Sequence, residues 1–239
     1  MSNFEEPMSR YYRSIGPEYS KIHNDKEMGY LGIARIPLII GITGPTKAGK
    51  TMVSKHLVTE HGFHYECLST YIREKSVSLG NPTPNWEELR DIAIQWRREE
   101  GLEILVKVLL QRLKQKGVLR TARAIVIDGV LHREEVRLLR EIPNAHLISI
   151  TAPLDLRYES TKAWESPENV PTIEEFQRRD LWERGLDGEL RPPEAINIED
   201  CIDLIPAANR FKFTGDTGSR ALLLKYIDAF IIKARSQCI

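Results

Sequence analysis

Residues 44–51 read Gly-Pro-Thr-Lys-Ala-Gly-Lys-Thr, a match without exception to the phosphate-loop pattern G-x-x-x-x-G-K-[ST]. The chemistry of such a loop is anion capture. Backbone N–H groups of the loop turn inward around an anion, at the positive end of a helix dipole. On this reading Gly44, Pro45, Thr46, Lys47, Ala48, Gly49, Lys50, Thr51 and Met52 form an ATP-binding segment. Lys50 reaches the β- and γ-phosphates, and the Thr51 hydroxyl coordinates Mg²⁺. That ion calls for a carboxylate, and Ala124-Ile125-Val126-Ile127-Asp128-Gly129 presents one at the end of an apolar run. Asp128 is the expected second metal ligand.

Two other clusters carry reactive side chains. His61-Gly62-Phe63-His64-Tyr65-Glu66-Cys67 holds zinc-type donors, but it runs from a helix end into a strand and no second ligand cluster accompanies it. It is read as structure rather than as a zinc site. The cations Arg112, Lys114, Lys116, Arg120 and Arg123 flank Gly117. They suit a solvated helix end, where positive charge complements the dipole. A phosphorylated macromolecule is the sharper alternative for them.

The elements that must position the loop follow from periodicity. Pro37–Ile42 is a short apolar run before the glycines, and Met52–Val58 has helical apolar spacing after them, so strand, loop and helix stand in the order the motif needs. Further strand candidates are 63–67, 124–128, 146–151 and, more weakly, 210–213. Helical patterns lie between them. Leu89, Ile92, Ala93 and Trp96 mark one apolar face, Leu102, Leu105, Val106, Leu109 and Leu113 another, and Gly101 breaks the two. A last helix is expected over about 219–233. This alternation predicts an α/β fold with a parallel sheet covered on both faces. Residues 1–35 lack periodicity and read as an N-terminal extension, leaving 36–239 as one domain.

Composition narrows the function class. Of 239 residues 41% are hydrophobic, enough for one good core. Lysine plus arginine equal aspartate plus glutamate at 34 each, which argues against nonspecific nucleic-acid or membrane-surface binding. Nothing approaches a membrane span, and Met1–Pro7 has no apolar signal core, so a cytoplasmic protein is expected. The three cysteines, Cys67, Cys201 and Cys238, are scattered, odd in number and suited to a reducing compartment.

The order of these parts resembles the P-loop nucleoside monophosphate kinase superfamily, in the branch of deoxynucleoside monophosphate kinases and dephospho-coenzyme A kinase-like proteins. The resemblance spans about residues 37–232. After Gly41–Thr51 it rests on Leu68–Glu74, Trp96–Gly101, Val126–Gly129, Ala152–Glu159 and Glu174–Asp180. It implies a P-loop three-layer α/β/α fold with a five-stranded parallel sheet, a helical acceptor-binding region and a short lid at about 157–184. It also implies transfer of the γ-phosphoryl group of ATP, with Mg²⁺, to a small-molecule acceptor, most simply a (deoxy)nucleoside monophosphate. Oligomers occur on such a plan, and a nucleic-acid acceptor is compatible with it though not indicated by the charge.

The resemblance assigns further roles. Arg73 follows the second strand, where relatives hold the acceptor's phosphate with an arginine fork. Arg97 and Arg98 point about 100° apart on a helix, so one enters the cleft, and Arg97 is favoured. Trp86 is the better candidate to stack on an acceptor base, since Trp96 shares a face with Leu89 and Ile92. Arg157 opens the lid, and with Lys50 and Lys162 it completes the catalytic cations. Two departures stand out: Lys162 and Trp164 where relatives repeat an arginine, and Leu131 where they place one. A hydroxyl acceptor, as in dephospho-coenzyme A or a modified base, would need a nearby carboxylate. Relatives with that chemistry carry an aspartate after the second strand; here Ser69-Thr70 stand instead, with Glu66 the nearest substitute. A non-catalytic nucleotide-binding regulator is the reading from outside the enzymes.

Overall fold

A computed structural model of the protein describes residues 36–215 and 217–237; the extension expected over 1–35 and Cys238 lie outside the described residues. Five strands form one sheet: β1 (Leu38–Thr43), β2 (His64–Cys67), β3 (Ala124–Asp128), β4 (Ala145–Thr151) and β5 (Arg210–Lys212). All pairings are parallel and the order is β2-β3-β1-β4-β5. Every residue of β1 and β3 is buried, which is why both read as unbroken apolar runs rather than alternating ones.

Ten α-helices occur among the described residues: α1 (Lys50–His61), α2 (Leu68–Ser78), α3 (Trp86–Glu100), α4 (Ile104–Gln115), α5 (Val118–Thr121), α6 (Arg133–Arg140), α7 (Leu154–Trp164), α8 (Ile173–Arg184), α9 (Ile198–Asp203) and α10 (Thr217–Ser236). None is long and apolar enough to cross a membrane. Alternation along the strands splits the core in two. Ile39, Ile125, Ile127 and Leu147 join Leu105, Leu109 and Leu113 of α4, together with side chains of α2, α3, α6 and α9. Ile40, Ile42, Val126, Ile148 and Ile150 join Val53 and Leu57 of α1 and Leu223, Ile227 and Ile231 of α10. The three-layer α/β/α expectation holds.

Local signals account for most boundaries. Gly101, with φ 107°, ends α3 and donates to the Arg97 carbonyl at 2.9 Å, the break read from the periodicity. Asn85 and Glu88 form a reciprocal capping box at the start of α3, as Thr172 and Glu175 do for α8. Phe63, expected to open the second strand, instead donates its N–H to Leu57 O at 3.2 Å. It completes the helix end, so β2 begins one residue later. Between α7 and α8, within the segment expected as a lid, the chain makes a single 3₁₀ turn at Pro167–Asn169.

Candidate active site

Backbone demands shape the phosphate loop first. Gly44 has φ 138°, and a Cβ there would lie 1.9 Å from the Ile150 carbonyl oxygen, so the loop passes too close to β4 for any side chain. Lys47 at φ 60° and Gly49 at φ 101° supply the left-handed turns that bring successive amides to one side. Gly49 also caps α1 without a side-chain acceptor, so no side chain of its own covers the first N–H groups of that helix. Lys50 curls back over the loop and donates to Gly44 O at 2.7 Å and Pro45 O at 2.8 Å. Burial pulls its ammonium below the ordinary lysine value, while Asp128 and Glu183 work in the opposite direction.

The two residues expected to hold a metal ion lie in contact. Thr51 Oγ1 donates to Asp128 Oδ2 at 2.9 Å. Asp128 is held there because β3 pairs with β1 in a register that sets it against Ile42, and Gly129 N and Val130 N both donate to Ile42 O at 3.1 Å. The Tyr65 hydroxyl reaches the same carboxylate oxygen at 3.4 Å, and burial followed by the Asp128 charge pushes its pKa up. Two hard oxygens at this separation are a donor set that Mg²⁺ accepts, keeping water and phosphate oxygens for its other positions. The residues present therefore fit the ion.

The 157–184 segment lies closed against the loop. Arg157 is fully buried and bidentate to Asp180, at 2.6 Å to Oδ1 and 2.8 Å to Oδ2, and it donates to Thr46 O at 3.3 Å. One helical turn after Asp180, Glu183 accepts from Thr46 Oγ1 at 2.7 Å and from Trp86 Nε1 at 3.0 Å. At the rim Lys47 pairs with Glu165 at 2.7 Å. Trp86 packs edge-on to Trp182, with ring centroids 5.5 Å apart. The Arg90 and Arg179 guanidiniums lie 5.4 and 5.5 Å from its ring centre. Cations and an aromatic face thus stand one side chain away from the phosphate loop.

The structure brings Lys50, Thr51, Asp128, Arg157 and Trp86 close together, whereas Arg97 and Glu66 are engaged elsewhere. Arg97, only 2% exposed, is bound to Glu135 at 2.9 Å and to the Glu194 carbonyl at 3.5 Å. It turns inward as expected, but toward α6 rather than toward the loop, because the buried Glu135 takes its charge. Glu66 pairs in register with Ile127, on the sheet face opposite Asp128, and accepts from the Tyr71 hydroxyl at 2.8 Å with His64 Nε2 at 3.0 Å. Lys162 is 44% exposed and paired with Glu159 at 2.6 Å. Arg73 is exposed on α2. Glu183 was missed by sequence reasoning: its only signal is the Asp180-x-x-Glu183 spacing, which puts two carboxylates on one face of a helix that also presents the partner of Arg157.

A cavity of about 930 Å³ opens beside the loop, walled by Lys50, Met52, Leu156, Trp164, Phe213 and Arg220. Its floor depends on Gly215, where a Cβ would sit 2.2 Å from Leu156 Cδ1. Apolar walls with flanking cations next to a phosphate loop suit a base and ribose. A cavity of similar size, about 940 Å³, lies at the other end of the sheet around Leu38, His64, Ala124 and Arg235, away from this chemistry.

Comparison with known proteins finds relatives of this chain. Residues 40–181 match the AAA domain family AAA_18. The UPF0200 protein of Thermococcus kodakarensis is 26% identical over 60% of this chain and 77% of its own length. That of Methanosarcina barkeri is 30% identical over 67% of this chain and 84% of its own. Shikimate kinase from Bacteroides thetaiotaomicron overlays 81% of this chain and 98% of its own at 12% identity, with a TM-score of 0.48. With its phosphate loop and a five-stranded parallel sheet in the order given above, the chain belongs to the AAA_18 family of AAA domains and to the UPF0200 proteins.

Proposed function

We propose that this protein transfers the γ-phosphoryl group of ATP, in the presence of Mg²⁺, to a (deoxy)nucleoside monophosphate in the cytoplasm. The observation that carries the reading is Glu183. Its carboxylate ties the phosphate loop at Thr46 to the aromatic side chain Trp86, so donor loop and acceptor platform share one cleft. Thr51 and Asp128 would hold Mg²⁺, which would supply charge neutralisation, and ATP would supply the phosphoryl group. Everything else falls to the chain. Lys50 exchanges its two loop carbonyls for phosphate oxygens, which offsets the desolvation of its ammonium. Arg157 donates from the lid beside Thr46 and opposes charge on the transferred group. Trp86 stacks on the acceptor base, and Arg90, Arg179 and the exposed Arg73 attract its phosphate. Lys162 contributes positive charge to the closing lid, and Arg97 positions α3 through Glu135.

A phosphate acceptor is already ionised near neutral pH and needs alignment more than a base. A hydroxyl acceptor is the second reading, and Glu183 favours it, because a buried carboxylate beside Lys50 is placed to take a hydroxyl proton. Both readings are tested by incubating the protein with Mg²⁺ and ATP against ribo- and deoxynucleoside monophosphates and dephospho-coenzyme A, following ADP release and product mass. A monophosphate gaining one phosphate is the expected result, with activity lost in a folded Lys50→Ala variant. Turnover of the hydroxyl substrate alone overturns the first reading in favour of the second. Binding of ATP without turnover of any acceptor overturns both and leaves a nucleotide-binding regulator.

A further inference from the structure

On the α1/α10 side of the sheet three donor side chains converge. His56 and His61, both on α1, direct Nε2 at a single oxygen of Asp228 on α10, at 2.6 and 2.7 Å to Oδ1. The three ligand atoms lie within 4.8 Å of one another. The two imidazoles are 16% and 14% exposed and Asp228 is 39% exposed, so the group is open on the carboxylate side only. Its surroundings hold the rings in place. The His61 ring stands edge-on to Phe63, and Arg235 bonds the His61 carbonyl at 2.8 Å without occupying the imidazole nitrogen.

We propose that His56, His61 and Asp228 form a site for a divalent first-row metal ion, Zn²⁺ by its chemistry. Two imidazole nitrogens and one carboxylate oxygen are a donor set such ions accept, with a fourth position left for water. On the carboxylate side the rearrangement required is small. Tetrahedral Zn²⁺ with bonds near 2.0–2.1 Å sets its ligands about 3.3 Å apart. The partly exposed Asp228 therefore withdraws by about half an ångström while both rings carry their proton on Nδ1. The same contact without metal is a double hydrogen bond, in which one carboxylate oxygen serves two N–H donors.

The site is independent of the phosphate chemistry but touches its scaffold. His56 lines the nucleotide cavity, and α10, which carries Asp228, also contributes Arg220 and Leu224 to that cavity. A bound ion would pin α10 to α1 behind the cavity. The test uses the full, tag-free chain without nucleotide and titrates Co²⁺, whose visible absorption reports tetrahedral nitrogen–oxygen ligation, followed by displacement with Zn²⁺. One equivalent is expected, with the bands kept in Asp128→Asn and in His64→Gln. Affinity is expected to fall at least about tenfold in His61→Gln. Asp228→Asn, the milder change, gives the same comparison if His61→Gln loses its circular dichroism. Absence of tetrahedral bands, or bands unchanged in both ligand variants, overturns the site and leaves a hydrogen-bonded clamp between two helices.

Discussion

Single residues decide whether the phosphate loop exists at all. Gly44→Ala would have to place a methyl 1.9 Å from the Ile150 carbonyl oxygen in a backbone conformation that alanine avoids. The loop would open, and ATP binding measured by calorimetry should disappear while the far-ultraviolet spectrum persists. Arg157 poses a different problem. Removing it as Arg157→Ala leaves Asp180 buried without its fork, and breaking a buried pair from one side costs about 3–5 kcal/mol. Urea denaturation should register that loss. Arg157→Lys should recover only part of it, because an ammonium cannot span both carboxylate oxygens. Thr51 and Asp128 were legible in the sequence because motif and strand end each specify a backbone position. The partner of Arg97 was not. Helical geometry separates Arg97 from Arg98 by direction, but whether the inward one meets a ligand or Glu135 is decided by where α6 packs, and the pattern within an eight-residue helix does not say which helix lies against it.

At the scale of elements, α6 also contains a pH sensor of stability. His132 caps it through Nδ1, which accepts from Glu134 N at 3.2 Å, while Nε2–H donates to Pro193 O at 2.9 Å. The cap requires the neutral ring, since a proton on Nδ1 would face the Glu134 N–H as a second donor, whereas the bond to Pro193 survives protonation. Burial holds the His132 pKa below its ordinary 6.5. The unfolded chain therefore binds the proton first, and stability falls as pH drops below about 6.5 until the folded-state pKa is reached. His146, also lowered by burial, adds in the same direction. Thermal midpoints should decline between pH 7.5 and 5.5, and His132→Asn, which keeps an accepting cap without titrating, should shallow that decline. An unchanged slope would remove His132 from the account. Strands were easier to read than this short helix: parallel strands buried on both faces are apolar throughout, whereas the caps that start α6 are a histidine and a glutamate whose roles depend on Pro193 and Arg97 coming near them.

For the whole molecule, the organising contact is the one Glu183 makes between layers that are far apart in sequence. Alternating apolar runs predict a covered parallel sheet, but five similar runs carry no record of their lateral order, and a polar helix such as α8 does not reveal which side lies against the loop. Only the folded chain places Glu183 against Thr46 and Trp86. That placement has two opposed consequences. On the proposed function, a carboxylate next to Lys50 repels a bound triphosphate, while its bond to Trp86 steadies the proposed acceptor platform. Glu183→Gln removes the charge while keeping the shape and one acceptor oxygen. Less repulsion should tighten Mg·ATP by about 1 kcal/mol, roughly fivefold, after allowance for solvent screening. Turnover should move the other way, because a side chain that no longer accepts from both Thr46 and Trp86 lets the platform drift from the donor. Calorimetric Kd for ATP and steady-state kcat, measured on the same preparation, separate these effects. A lower Kd with a lower kcat is the expected pair. If both stay at the wild-type values, Glu183 is only a structural hydrogen bond between α8 and the loop, and the shared cleft loses its main support.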